Sequence, residues 1–114
     1  MDCIILQNTY CACLDLSDQL HCIDPDTKIH CMSEEALDVV DWLGRNGSHT
    51  DFIIADTEAC DGDTIDIFRR SSVRLPLILT CSSPDEVDRC RGLNVVGTVL
   101  KPICTSGLSK ALSK

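Results

Sequence analysis

The chain has 114 residues, of which 44% are apolar and 25% are charged, and its formal net charge is −8. That length suits one domain with one hydrophobic core, so we expect a single domain over residues 1–114. The acidic balance argues against binding to the phosphate backbone of nucleic acids and to anionic membrane surfaces, because both require clustered Lys and Arg side chains.

The first half of the chain alternates short apolar runs with amphipathic segments. The apolar run at residues 3–6 predicts a buried strand, and apolar side chains at helical spacing favour a helix over residues 9–20. A second strand is predicted over residues 28–32. Ser33 can then cap a helix whose first turn carries two Glu residues, where the helix dipole favours negative charge.

The second half repeats this alternation with cleaner signals. Its predicted elements are, in order, a strand at 52–55, a helix at 64–71, a strand at 76–79, a helix at 83–92, a strand at 95–100 and a helix at 108–112. Strict alternation of strand and helix indicates βαβ units around a parallel sheet. Because such crossovers are right-handed, a doubly wound, three-layer α/β sandwich is the architecture that fits.

Three polar side chains stand at the predicted carboxyl ends of strands. Asp56 follows the third strand, Thr80 the fourth and Lys101 the fifth, each after at least three apolar residues. Ligands of open α/β sheets bind beyond the carboxyl ends of the strands. We therefore expect a carboxylate, a hydroxyl and an ammonium group to converge on one site.

These strand ends resemble a known family. The segments Asp51–Asp56 (DFIIAD), Pro76–Thr80 (PLILT) and Gly97–Pro102 (GTVLKP) are similar to the receiver domain of two-component response regulators and hybrid kinases. The resemblance covers nearly the whole chain and is specific from Lys28 onward. It implies a flavodoxin-like fold with a five-stranded parallel sheet in the order 2-1-3-4-5, and a role in phosphorelay signal transduction.

The resemblance also implies a role for each strand-end residue. Asp56 would accept a phosphoryl group from a histidine kinase or a phosphotransfer protein, Lys101 would pair with the phosphoryl oxygens, and Thr80 would hydrogen-bond to them. Self-phosphorylation and autodephosphorylation at Asp56 would be the most that this protein catalyses, so we do not expect a metabolic enzyme. At the position of the Lys101–Pro102 bond, family members commonly have the cis form, whereas X-Pro bonds in general are usually trans.

The sequence departs from the family after the first strand. The family has two acidic residues there, which hold Mg²⁺ together with the acceptor Asp, whereas this chain has Gln7 and Asn8. Mg²⁺ prefers anionic oxygen ligands and usually needs one or two carboxylates besides phosphate. With Asp56 as the clear carboxylate, and Asn8 and Glu58 as further candidate ligands, we expect a weak or absent Mg²⁺ site.

An alternative register would restore the acidic residues. If the first strand covered residues 10–14, then Asp15 or Asp18 would follow it. This register leaves too few residues for a helix before Lys28, so the strand at residues 3–6 is preferred.

Two functions from different classes follow. The favoured hypothesis is a divergent receiver, or pseudo-receiver, that regulates through protein–protein contacts, because Gln7 and Asn8 replace the acidic pair. The alternative is an active receiver that is phosphorylated on Asp56. A third reading, a flavodoxin-like protein that binds a nucleotide or flavin, is disfavoured because residues 7–10 (QNTY) lack a phosphate-binding loop.

The resemblance points to an interaction face made by the last helix, strand and helix. Arg89, Arg91 and Lys110 lie in that region of an otherwise acidic chain. Expected partners are a kinase, a phosphotransfer protein or another protein of the pathway, with homodimerisation through the same face as a further option.

The chain has nine cysteines, an odd number scattered through apolar runs. We expect reduced thiols packed as small apolar side chains in a cytoplasmic protein, because the first residues lack a signal peptide and no run is long enough to span a membrane. A metal site is the alternative, although the paired C-x-x-C motifs of zinc sites are lacking. Its candidate ligands are Cys11, Cys13, His21, Cys22, His30 and Cys31.

Overall fold

The computed structural model describes residues 2–7, 9–32, 45, 50–57, 75–83, 85–88 and 93–112. The elements in these residues follow the predicted alternation. They are β1 (Asp2–Leu6), α1 (Tyr10–Ile23), β2 (Lys28–Met32), β3 (Phe52–Asp56), β4 (Leu77–Cys81), α2 (Asp85–Asp88), β5 (Val95–Leu100) and α3 (Thr105–Leu112).

The five strands form one parallel sheet in the order β2-β1-β3-β4-β5. The predicted order 2-1-3-4-5 is therefore confirmed. Every residue of β3 and β4 is buried, which is why their sequences are continuous apolar runs and do not alternate with polar residues.

Helices α1 and α3 pack together on one face of the sheet. The buried core on this face comprises Cys3, Ile5, Cys13, Leu16, Leu20, Phe52, Ile54, Ile78, Val99, Leu108 and Ala111. Side chains of the alternate positions, such as Ile4, Ile53 and Leu79, point to the other face because successive strand residues face opposite sides. They are also buried. The sheet is thus covered on both faces, as a three-layer sandwich requires.

Helix α1 has the ends that its sequence encodes. The Thr9 hydroxyl caps it by accepting a 3.1 Å hydrogen bond from the backbone N–H of Ala12. Because residues 10–14 are helical, the alternative register for the first strand is wrong. Asp15 and Asp18 lie on α1 with exposed side chains, and they do not follow a strand.

Other boundaries differ slightly from the predictions. Helix α3 begins at Thr105, three residues before the predicted start, and the Leu108 N–H donates to the Cys104 carbonyl oxygen at 3.0 Å. The apolar signal begins only at Leu108, because that is the first residue of α3 to reach the core. The predicted helix after Ser33, the helix over residues 64–71 and most of the helix over residues 83–92 lie outside the described residues.

No helix in the described part of the chain combines the length and the apolar character that a membrane crossing requires.

Candidate functional site

The site lies at the carboxyl edge of the four strands β1, β3, β4 and β5. Each site residue comes two positions after a core residue of the α1–α3 face, so the period of two in a strand aims all four side chains to the same side. The four pairs, with the core residue first, are Ile5 and Gln7, Ile54 and Asp56, Ile78 and Thr80, and Val99 and Lys101.

Backbone pairing brings these residues into register. Asp56 and Thr80 are direct partners across β3 and β4, and Gln7 comes directly after Leu6, which pairs with Ala55. The Lys101 N–H donates to the Cys81 carbonyl oxygen at 2.9 Å, which extends the β5 ladder to the edge. The predicted convergence of the carboxylate, hydroxyl and ammonium groups on one site follows from this register.

Asp56 and Lys101 form an ion pair. The Lys101 Nζ donates to Asp56 Oδ2 at 2.7 Å, where the Asp56 side chain is 4% exposed and that of Lys101 is 30% exposed. A charged hydrogen bond of this length is among the stronger kinds in proteins. The ammonium therefore compensates much of the cost of burying the carboxylate.

Gln7 and Thr80 form the second contact of the site. The Gln7 side-chain N–H donates to the Thr80 hydroxyl oxygen at 3.2 Å, and both residues are buried. This contact joins β1 to β4 across β3, between residues 73 positions apart. The resemblance marks Gln7 only as the expected replacement of an acidic residue, and no local signal in the sequence indicates that it binds Thr80.

The four described side chains do not fit a Mg²⁺ ion held by paired carboxylates. Asp56 is the one carboxylate among them, and its Oδ2 is engaged by Lys101. Gln7 offers a neutral amide, whose nitrogen is engaged by Thr80. The other two candidate ligands from the sequence, Asn8 and Glu58, lie outside the described residues.

Two further features lie beside the site. The Lys101–Pro102 peptide bond is cis, as the resemblance implied. A groove of about 600 Å³ lies between β5 and α3, with Leu100 and Lys110 among its lining residues. It belongs to the predicted interaction face, of which Arg89 and Arg91 lie outside the described residues.

The described cysteines divide into exposed and buried groups. Cys11, Cys22 and Cys104 are exposed, Cys3, Cys13 and Cys81 are buried, and none of these is in a disulfide. Burial raises the pKa of Cys3, and it also raises the pKa of the partly buried Cys31. Among the described residues, no group of three or more His, Cys, Asp or Glu side chains is arranged to hold a metal ion.

Comparisons with known proteins identify solved structures that share this architecture. No protein-family model matches the sequence, and no curated protein gives a significant match. Solved structures do match. A response regulator receiver protein from Pseudoalteromonas atlantica is 16% identical, with 99% of this chain and 94% of that chain covered and a TM-score of 0.74. The signal receiver domain of a modulated diguanylate cyclase from Desulfovibrio desulfuricans is 19% identical. The match covers 98% of this chain and 90% of that chain, with a TM-score of 0.76.

The chain has the fold of a receiver domain. A protein described as pilus assembly-related, from Burkholderia pseudomallei, is also similar, with 14% sequence identity and a TM-score of 0.80. The match covers 99% of this chain and 87% of that chain. At these identities the likeness establishes the receiver fold, and the function must be argued from the site.

Proposed function

We propose that this chain is a receiver-like regulatory domain of a two-component or phosphorelay pathway, which acts mainly through protein–protein contacts. The observation that carries the proposal is that the site's polar groups bind one another. Lys101 is held by Asp56, and Thr80 is held by Gln7.

The chemistry of phosphoryl transfer supports this proposal. A transferred phosphoryl group is stabilised by positioned cations and hydrogen-bond donors, and each must be available to its oxygens. In this chain the cation is already paired with Asp56, while the Thr80 hydroxyl is held in place by accepting from Gln7 and retains its own O–H as a donor. An anionic donor would have to approach a nearly buried carboxylate, and the described residues of the site offer no second carboxylate to help bind Mg²⁺.

The β5–α3 groove is the contact surface that we favour. Leu100 is 50% exposed, although large apolar side chains are usually buried. Lys110 lines the same groove on a chain with a net charge of −8. An apolar side chain beside a basic one suits a partner protein that presents an apolar residue next to an acidic patch.

A second candidate function is an active phosphoacceptor that receives its phosphoryl group from a histidine kinase or phosphotransfer protein. The observation in its favour is that Asp56, Thr80 and Lys101 meet at one edge of the sheet, with the ammonium 2.7 Å from the carboxylate. In this function Lys101 would transfer its contact from the carboxylate to the phosphoryl oxygens.

A titration of ¹⁵N-labelled protein distinguishes the two functions. We expect the amide signals of Asp56, Thr80 and Lys101 to stay unchanged in millimolar Mg²⁺ and in Mg²⁺ with beryllofluoride, an acyl-phosphate mimic. Asp56→Asn, which removes the acceptor carboxylate, is the matched control. Shifts that need both reagents and vanish in Asp56→Asn would establish the phosphoacceptor and overturn the favoured function.

Gln7→Glu tests whether this residue disables the metal site. The substitution keeps the side-chain size, removes the N–H that binds Thr80 and adds a carboxylate beside Asp56. We expect the Mg²⁺ affinity to rise by about tenfold or more, since a second carboxylate is what Mg²⁺ sites require. Gln19→Glu on α1 adds the same charge elsewhere and should leave the affinity unchanged. Equal gains in both variants would show a general charge effect and refute the role of Gln7.

A further inference from the structure

Three cysteines from three elements lie on the α1 side of the sheet. Cys3 belongs to β1, Cys13 to α1 and Cys31 to β2. Cys31 is the register partner of Ile5 in the neighbouring strand, and the Cys13 thiol donates to the Ile5 carbonyl oxygen at 3.8 Å. The helix thus holds Cys13 above the point where β1 and β2 pair.

Cys13 and Cys31 are neighbours on this face of the sheet. The thiol of Cys31 is hydrogen-bonded to that of Cys13. Partners in adjacent parallel strands point to the same face, so Cys31 points with Ile5 toward α1, and it packs against the core cluster that contains Cys13. Neighbouring thiols of this kind are the pairs between which a disulfide, with its bond length of about 2.05 Å, can form.

The two thiols differ in access to solvent. Cys13 is fully buried, whereas Cys31 is partly exposed on β2, the edge strand of the sheet. A reagent in solution can therefore reach Cys31 more readily than the buried Cys13. Cys3 is fully buried and its thiol donates to the Ile4 carbonyl oxygen at 3.5 Å.

We propose that Cys31 and Cys13 form a reversible disulfide when the protein meets a low-molecular-weight disulfide such as glutathione disulfide. Cys31 is the entry thiol and Cys13 is the resolving thiol. The modification ties α1 to the edge strand β2, and it is independent of the function proposed for the strand-end site.

The chemistry proceeds in two thiol–disulfide exchange steps. The Cys31 thiolate attacks one sulfur of glutathione disulfide, which forms a mixed disulfide on Cys31 and releases one glutathione. The Cys13 thiolate then attacks the Cys31 sulfur, which forms the Cys13–Cys31 bond and releases the second glutathione. Both protein thiols lose a proton and are oxidised together by two electrons, and glutathione disulfide is reduced to two thiols.

The experiment is oxidation of the whole chain with glutathione disulfide, followed by trypsin digestion and mass spectrometry. Trypsin cleaves after Lys28 and Arg45, so it places Cys31 alone in peptide 29–45 and Cys13 in peptide 1–28. We expect these two peptides to be linked, with the link assigned to Cys13 by fragmentation and removed by reduction.

Matched variants identify the resolving thiol. In Cys13→Ala we expect the link to disappear and the glutathione retained on Cys31 to rise by about tenfold or more, because no thiol displaces it. Cys11→Ala removes an exposed thiol from the same helix and should leave the link intact. Far-ultraviolet circular dichroism verifies that each variant is folded. A link that persists in folded Cys13→Ala, or glutathione retained on Cys31 in the unsubstituted protein, would overturn the proposal.

Discussion

Replacing Lys101 with Ala is expected to lower the free energy of unfolding by about 2–3 kcal/mol. The substitution removes the ammonium that lies 2.7 Å from the Asp56 carboxylate, whose side chain is only 4% exposed. Loss of one partner from a fully buried pair typically costs about 3–5 kcal/mol, and we expect less here because the Lys101 side chain is 30% exposed and its charge is partly screened.

Urea unfolding of a double-mutant cycle measures this effect. If the ion pair is responsible, Lys101→Ala should cost at least about 1 kcal/mol less in an Asp56→Asn background, where there is no carboxylate charge to compensate. Lys110→Ala is the matched control, because Lys110 is an exposed lysine on α3, and its cost should stay within about 0.5 kcal/mol. A Lys101→Ala cost that is the same in both backgrounds would contradict the importance of the pair.

Replacing Gly97 with Ala is expected to lower the free energy of unfolding by about 1–3 kcal/mol, because it overpacks the contact between β5 and α3. A Cβ atom at residue 97 would lie 3.0 Å from the Ala111 Cβ and 3.2 Å from both the Cα and the carbonyl oxygen of Ala111. Backbone atoms of a packed helix cannot move aside as a flexible side chain can. The strand and the helix would therefore have to separate.

Gly107→Ala is a matched control with the opposite expected sign. A Cβ at this position in α3 would meet the Cys104 sulfur at 3.4 Å and Val99 Cγ1 at 3.8 Å, which are ordinary contacts. Ala also has a higher helix propensity than Gly, by about 0.8–1 kcal/mol, so we expect a modest gain in stability. Thermal and urea unfolding of both variants measure the difference. Destabilisation of equal size in the two variants would refute the steric explanation for Gly97.

The site has a consequence for how such a domain would be regulated. Under the proposed function, a receiver whose lysine and threonine are already bound within the chain would keep one arrangement of its strand ends. Its surface at β5 and α3 would then be available to a partner at all times, and partner concentration would control binding in place of phosphate. The titration with Mg²⁺ and beryllofluoride tests directly whether the strand ends keep one arrangement.

Local features of the sequence predicted much of the fold. The apolar run that became β3 is buried at every position, and the Thr9 cap and helical spacing of Cys13, Leu16 and Leu20 produced α1. Such signals are local because the spacing of apolar residues within one strand or helix indicates which of its residues are buried. The start of α3 was placed too late, since its exposed first turn carries no apolar signal.

The sequence by itself determined which polar residues stand at strand ends, since Asp56, Thr80 and Lys101 each follow an apolar run. It also predicts, by resemblance, that Gln7 lies where receiver domains have an acidic residue. Only the tertiary structure decided that Gln7 binds Thr80, that Cys13 meets Cys31 and that Gly97 approaches Ala111. These contacts join residues distant in the chain, and they depend on strand register and on the face that each helix covers. Periodicity within one segment cannot specify such relations between segments.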